Sequence, residues 1–299
     1  MAGMRATGVF GVFGSLAASL NLAVSAAAAD PVQRPPHAAW FGGLGGAYSH
    51  VDLKQSMIGV SDPTSVYKDG VLVATGTAGG PVVPFGLSEA NFAPQGQVGY
   101  FAHFPGSSLL WGIKLTYQYD NADVDRRELI PQAGQFTPVG GSPDSFTGNV
   151  VIGSSRTRVS HQLTLFPFIG QSFGQGFVYG GGGPMLLNVE TDIRNAIGFA
   201  DINGQHTDIT GAPLNFSSND WVWGGGFQLG VAYFLSDLWF IDINYTWART
   251  LQPSNGYSDQ FTSSFVQSGS TIMTEGGANL YVSDRLTTQS VAISINRAF

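Results

Sequence analysis

A segment that places apolar side chains at every second residue can hide only one of its faces, and such segments recur along this chain to its last residue. The clearest has Trp239, Ile241, Ile243, Tyr245 and Trp247 on one face, with Phe240, Asp242, Asn244 and Thr246 between them. The preceding run has Trp221, Trp223, Phe227, Leu229, Val231 and Tyr233 against Gly224, Gly226, Gln228, Gly230 and Ala232. Leu109, Trp111, Ile113, Leu115, Tyr117 and Tyr119 alternate with Gly112, Lys114, Thr116, Gln118 and Asp120 in the same way. Val159, Leu163, Leu165 and Ile169 oppose Ser160, Gln162 and Thr164, and Val291, Ile293, Ile295 and Phe299 oppose Ser290, Ala292, Ser294 and Asn296. Weaker runs at Trp40–Val51, Gln95–Phe104 and Phe177–Glu190 bring the expected number of strands to eight.

The connections between these runs alternate in length. Short links are expected at Pro105–Ser108, Gln171–Gly176 and Leu235–Asp237, and long polar loops at Asp52–Pro94, Asn121–Ser155, Thr191–Asp220 and Thr250–Asp284. Tight turns on one side and long loops on the other are the pattern of an outer-membrane barrel, with periplasmic and extracellular ends respectively. A strand of about ten residues, tilted by about 40°, spans the roughly 25 Å apolar band of such a barrel. Tyr117, Tyr119, Trp221, Trp223, Tyr245 and Trp247 are expected in an outer aromatic girdle, and Trp40, Tyr100, Tyr179, Tyr233 and Trp239 in an inner one. A turn at Lys68, Asp69 and Gly70 suggests a further hairpin within the first long loop.

Composition narrows the alternatives. The 299 residues include 41 glycines and no cysteine, and only 11% are charged, whereas a soluble β-sandwich would carry more surface charge. Without cysteine, neither a disulfide framework nor a thiolate metal site can form. A net charge of −7 with no basic stripe argues against a nucleic-acid partner. Residues 1–29 run from Arg5 through an apolar stretch to Ala27, Ala28 and Ala29, the order of a cleavable signal peptide. The expected fold is therefore all-β: an eight-stranded antiparallel transmembrane β-barrel with short periplasmic turns and long extracellular loops, formed by residues 30–299 as one domain in the outer membrane of a Gram-negative-type cell.

The stretch GFQLGVAYFLSDLWFIDINY, from Gly226 to Tyr245, resembles two consecutive strands of the OmpA- and OmpW-like small outer-membrane barrels. The end of the chain, Ser290–Phe299, resembles the signal read by the barrel assembly machinery, with Phe299 as its terminal aromatic residue and Arg297 where an aromatic residue is usual. The resemblance implies the fold and the compartment, with periplasmic chaperones and the assembly machinery as partners during biogenesis. It implies little about function, which varies among such barrels. The chain ends at its last strand, so no peptidoglycan-binding domain is expected.

Two sets of residues are candidates for function. Gln97, Lys114, Gln162, Gln228, Asp242 and Asn244 are expected to face the lumen, with Lys114 and Asp242 on opposite walls below a layer of glutamines. An eight-stranded interior is just wide enough for side chains, so this layer reads either as a hydrogen-bonded plug or as a constriction. Arg126, Arg127, Arg156, Arg158, Arg194, Arg249 and Arg285 gather at the expected outer strand ends, where they could meet lipopolysaccharide phosphates or pair with Asp123, Asp125, Glu128, Asp192 and Asp284. Gly180–Gly183 lack the Lys-Ser or Lys-Thr of a phosphate loop and read as a place of close strand approach. The Asp120–Asp125 stretch lacks the glycine and distal glutamate of a calcium loop.

His161 is expected to face lipid with Ser160 turned inward, and none of the five histidines stands in the His-x-Ser arrangement of the lipid A deacylases, so neither catalysis nor a cofactor is expected. The expected role is structural or one of surface interaction, with an external partner that the sequence does not name. A narrow OmpW-like conduit for small or apolar solutes is the alternative.

Overall fold

A computed structural model describes residues 35–202, 205–252 and 254–299; the expected signal peptide lies outside the described residues. The strands are β1 (Ala38–Ser61), β2 (Thr64–Lys68), β3 (Val71–Pro81), β4 (Phe85–His103), β5 (Leu109–Pro138), β6 (Asp144–Phe173), β7 (Gly176–Ile202), β8 (Gln205–Asp208), β9 (Leu214–Phe234), β10 (Trp239–Thr250), β11 (Ser254–Gln267) and β12 (Ser270–Ala298). They form one antiparallel sheet whose pairings run β1, β4, β5, β6, β7, β9, β10, β12 and return to β1. The ring is closed by the first and last of these strands, in register from Phe41 opposite Ala298 to Ser61 opposite Ala278. Both chain ends of the barrel lie at one rim, where Trp40 and Phe299 exchange two backbone hydrogen bonds of 3.1 and 2.9 Å.

The short turns fall at that same rim. β4 passes to β5 through Phe104–Ser108, with Gly106 at φ 67°, and β6 passes to β7 through Gly174 and Gln175, with Gly174 at φ 41°. Positive φ at a turn favours glycine, which has no Cβ to clash. β9 passes to β10 through Leu235–Leu238.

The opposite half departs from the sequence expectation. The segments Asp52–Pro94, Asn121–Ser155, Thr191–Asp220 and Thr250–Asp284, expected as long loops, are largely strand. β5 and β6 each run for 30 residues and pair to Phe136 opposite Asp144, so the chain reverses only at the tip, near Gly140. A bilayer needs about ten residues of such a strand, and most of β5 and β6 therefore continues past any apolar band. The expected hairpin is present as β2 and β3, turning at Asp69 and Gly70.

The reason these strands read as loops is a reversal of amphipathic phase. On β1, Trp40, Leu44 and Tyr48 point outward and are exposed, whereas Val51, Leu53 and Met57 point inward and are buried, with Asp52, Lys54 and Ser56 now outside. The same strand is thus apolar-out near the short turns and apolar-in beyond them. Two irregularities interrupt the pairing, and the second shifts the inward phase of its own strand. Asn121, at φ 48°, sits in a bulge between Tyr119 and Ala122 on β5, and β6 bulges at Ser160. The second bulge corrects one expectation: Val159, read on the outer face with Leu163, is turned inward and only 2% exposed.

Three apolar clusters fill the interior in succession. An aromatic floor beside the short turns holds Phe41, Phe101, Phe168, Phe177, Phe234 and Phe240. A middle cluster includes Val51, Leu53, Val159, Leu187 and Leu286. An upper cluster includes Met57, Ile130, Ile152, Ile193, Leu280 and Val282. Ile130 and Ile152 are 0% and 1% exposed, and removing their side chains should cost about 2–5 kcal/mol each. Ile130→Ala or Ile152→Ala is expected to speed amide hydrogen exchange in the outer parts of β5 and β6 while leaving exchange around Ile293 unchanged; equal exchange in both regions would contradict an independently packed upper core.

Candidate functional site: the lumen network and the rim

Between the aromatic floor and the middle cluster lies a polar layer built around Asp242. β5 and β10 stand opposite each other, with three strands between them in either direction round the ring. Lys114 on β5 and Asp242 on β10 both point inward because they occupy the even phase of their strands. They meet across the lumen, with Lys114 Nζ donating to Asp242 Oδ2 at 3.0 Å, and both are about 2% exposed. Lys114 also donates to Tyr179 Oη at 2.6 Å, and the Tyr179 hydroxyl donates to Asp242 Oδ1 at 2.7 Å. Gln97 Nε2 donates to Asp242 Oδ2 at 3.1 Å, Ser294 Oγ at 2.9 Å and Asn296 Oδ1 at 2.7 Å. Asn244 donates to the same carboxylate at 3.3 Å and accepts from Gln228 at 2.9 Å.

Room for this layer comes from β1, whose inward positions at Gly43 and Gly45 face Asn296 and Ser294; a Cβ on either glycine would collide with β12. Close approach also explains Gly181, Gly182 and Gly183, where an added Cβ would strike backbone carbonyls of the neighbouring strands.

The structure therefore brings together Gln97, Lys114, Gln228, Asp242 and Asn244 from the sequence-derived set. Gln162 stands apart: it is buried opposite Gln118, and its Oε1 has no hydrogen-bond partner in the protein. Tyr179 was missed. Expected in the inner girdle, it instead points into the lumen and is 7% exposed. The signal was its spacing from Gly181 and Gly183, which share its phase on β7 and leave space for inward side chains.

The network holds its buried charges through mutual hydrogen bonds. A buried ion pair is tolerable only when its remaining donors and acceptors are also satisfied, and here four side chains donate to one carboxylate. A second polar step lies higher, where Gln55 Nε2 donates to Asp284 Oδ1 at 2.8 Å, between the middle and upper clusters. Burial pushes the Asp284 carboxyl up to about 6, and the Gln55 amide opposes that shift.

Most of the arginines lie on the outer surface. Arg156 grips Asp123 through two guanidinium nitrogens, and these hydrogen bonds hold the Asp123 carboxyl below its ordinary value. Arg158 lies 3.6 Å from Asp123 and 3.7 Å from Glu190, and Arg194 lies 3.3 Å from Asp192. Arg126 pairs with Glu128 and stacks 4.1 Å over the Phe85 ring. Arg285 donates to Gln252, whereas Arg127 and Arg249 are exposed. Phe299 is 75% exposed at the short-turn rim.

His161 stacks among Tyr117, Tyr119 and Trp221 on the outside of the barrel. His103 contacts Ser172 Oγ at 2.5 Å, and its other ring nitrogen faces the His37 carbonyl at 3.1 Å. Among the described residues, no group of three or more His, Asp or Glu is placed to hold a metal ion.

No family model matches the chain, and no curated protein matches it. Among solved structures, the chain is similar to Ail, the attachment invasion locus protein of Yersinia pestis, at 11% identity over 81% of this chain and 98% of that one, with a TM-score of 0.23. It is similar to the outer membrane protease OmpT from Escherichia coli at 10% identity, covering 87% and 97% of the two chains, with a TM-score of 0.25. Neisserial surface protein A is similar at 9% identity, covering 78% and 95%, with a TM-score of 0.23. At such TM-scores, the architecture rests on this chain's own strand pairing.

Two outcomes follow from the buried charges. Lys114→Met leaves the Asp242 carboxylate buried without its counter-charge and should cost about 3–5 kcal/mol. Lys114→Met combined with Asp242→Asn should recover much of that loss in urea unfolding, and a double variant no more stable than Lys114→Met would show that the pair is not coupled.

Because the folded Asp284 pKa of about 6 lies above its ordinary 3.8, the native state holds the proton more tightly. The contribution of this group to stability is then fully present below about pH 4 and is lost, by roughly 3 kcal/mol in all, as pH rises through about 6. Asp284→Asn should remove that slope from the urea midpoint measured between pH 4 and pH 7; an unchanged slope would contradict this assignment.

Proposed function

We propose that the chain is an outer-membrane β-barrel of a Gram-negative-type cell, crossing the bilayer with the eight strands of the closed circuit. Its lumen is closed, and its role is structural or one of surface interaction. The observation that carries this reading is a continuous outward band of exposed apolar side chains beside the short turns. It includes Leu44, Val98, Ile113, Leu115, Leu165, Ile169, Val178, Leu229, Val231, Ile243, Ile293 and Ile295, contributed by every strand of the circuit. Exposed apolar area on this scale is not tolerated on a water-soluble monomer. Trp40, Tyr233 and Trp239 border the band on the short-turn side, and Tyr48, Tyr117, Tyr119, Trp221 and Trp223 border it on the other, as aromatic rings do at the two bilayer interfaces.

Closure of the barrel supports the same reading, since every backbone group in lipid must find its partner within the protein. The Asp242 network and the aromatic floor support a plugged lumen rather than a conduit. Above the band the strands continue as a β-structured collar, the part of the molecule that would meet the exterior.

The protein refolded into vesicles is expected to show heat-modifiable migration on a gel and no stepwise conductance in planar bilayers. Solubility without detergent, together with the absence of heat modifiability, would overturn the membrane reading. Salt-dependent current steps would overturn the plug and favour the conduit.

A further inference from the structure

The upper cluster lines a partly open cavity of about 150 Å³. Its walls are almost wholly apolar, and Ile130, Ile152, Phe216, Phe261 and Leu280 in them are at most 9% exposed. A mainly apolar cavity of this size has room for a molecule about as large as benzene. Two polar atoms distinguish it from an ordinary packing defect. Gln132 and Asn149 also line the cavity, Gln132 is 9% exposed, and neither Gln132 Nε2 nor Asn149 Oδ1 has a hydrogen-bond partner in the protein. A buried amide N–H without an acceptor is destabilising, and a ligand oxygen placed there would satisfy it.

From this we infer that the collar binds a small, uncharged, mainly apolar molecule carrying a hydroxyl, such as a phenol, whose oxygen accepts from Gln132 and whose hydrogen is offered to the Asn149 side. The apolar walls reject ions, because a charge taken from water would find no counter-charge there. Below the cavity, Met57 and Val282 and then the Gln55–Asp284 step continue the packed interior. The site is a closed-ended receptor facing the exterior and does not form a stage of a channel. This goes beyond the proposed membrane role; the closed end of the site rests on the closed lumen proposed there, whereas binding beside Gln132 does not.

The test uses the full mature chain in lipid nanodiscs, since detergent would itself compete for an apolar cavity. Binding of 4-fluorophenol and of fluorobenzene is followed by fluorine NMR. Saturable binding of 4-fluorophenol is expected, with intermolecular NOEs to the methyl groups of Ile130 and Ile152. Gln132→Leu should weaken 4-fluorophenol about tenfold while leaving fluorobenzene unchanged, and Ala200→Phe, which fills the cavity from β7, should abolish both. Non-saturable partitioning, NOEs only to the outward band, or equal loss of both probes in Gln132→Leu would overturn the assignment. The NOE experiment needs no variant, so it decides the matter even if Ala200→Phe does not fold. Heat-modifiable migration of the same sample separates failure of the site from failure of the barrel.

Discussion

Closure of the strand circuit is the constraint on which the rest of this molecule depends. Each strand of the ring has a neighbour on both sides, and the seam is made by β1 and β12, the two ends of the described chain. A lipid environment offers no water to an unpaired backbone group, so an open edge along the apolar band would be costly. Once the ring is closed, every residue faces either the lumen or the surroundings, and the alternation of side chains becomes the code for what lies on each side.

That code changes along the strands. Near the short turns, apolar side chains face out and polar ones face in, so the interior must satisfy its own polar groups, and it does so around Asp242. Farther out the phase reverses. Val51, Leu53 and Met57 on β1, and Leu280, Val282 and Leu286 on β12, turn inward, giving the collar the apolar-in, polar-out pattern of a water-soluble barrel. The arginines fit this division, because Arg156, Arg158 and Arg194 lie on the polar exterior beyond the aromatic border and pair with carboxylates of the same surface. The small cavity beside Gln132 belongs to the collar core.

The lower half was legible in the sequence because two signals agree there: unbroken period-2 alternation, and aromatic residues such as Trp239 and Trp247 at the ends of the runs. Lys114 and Asp242 could be placed on facing walls from phase alone. The collar was not legible, because its inward residues are apolar and its outward ones polar, so a search for outward apolar faces reads it as polar loop. Local irregularities hid the rest. The bulge at Ser160 reverses the phase of β6, which is why unbroken alternation places Val159 on the wrong face. Tyr179 resembles a girdle residue by its aromatic character at a strand end, although its register with inward glycines aims it at Asp242.

The reversal of phase along a single strand is the central claim, and a cysteine-free chain allows it to be measured directly. Single cysteines at the outward positions Ile295, Ile293, Val291, Arg285, Ser283 and Tyr281 of β12, each spin-labelled in lipid vesicles, would report collisions with oxygen and with a water-soluble nickel complex. The account predicts high oxygen and low nickel accessibility from Ile295 to Val291, and the opposite from Arg285 to Tyr281. Uniform nickel accessibility along all six positions would contradict it.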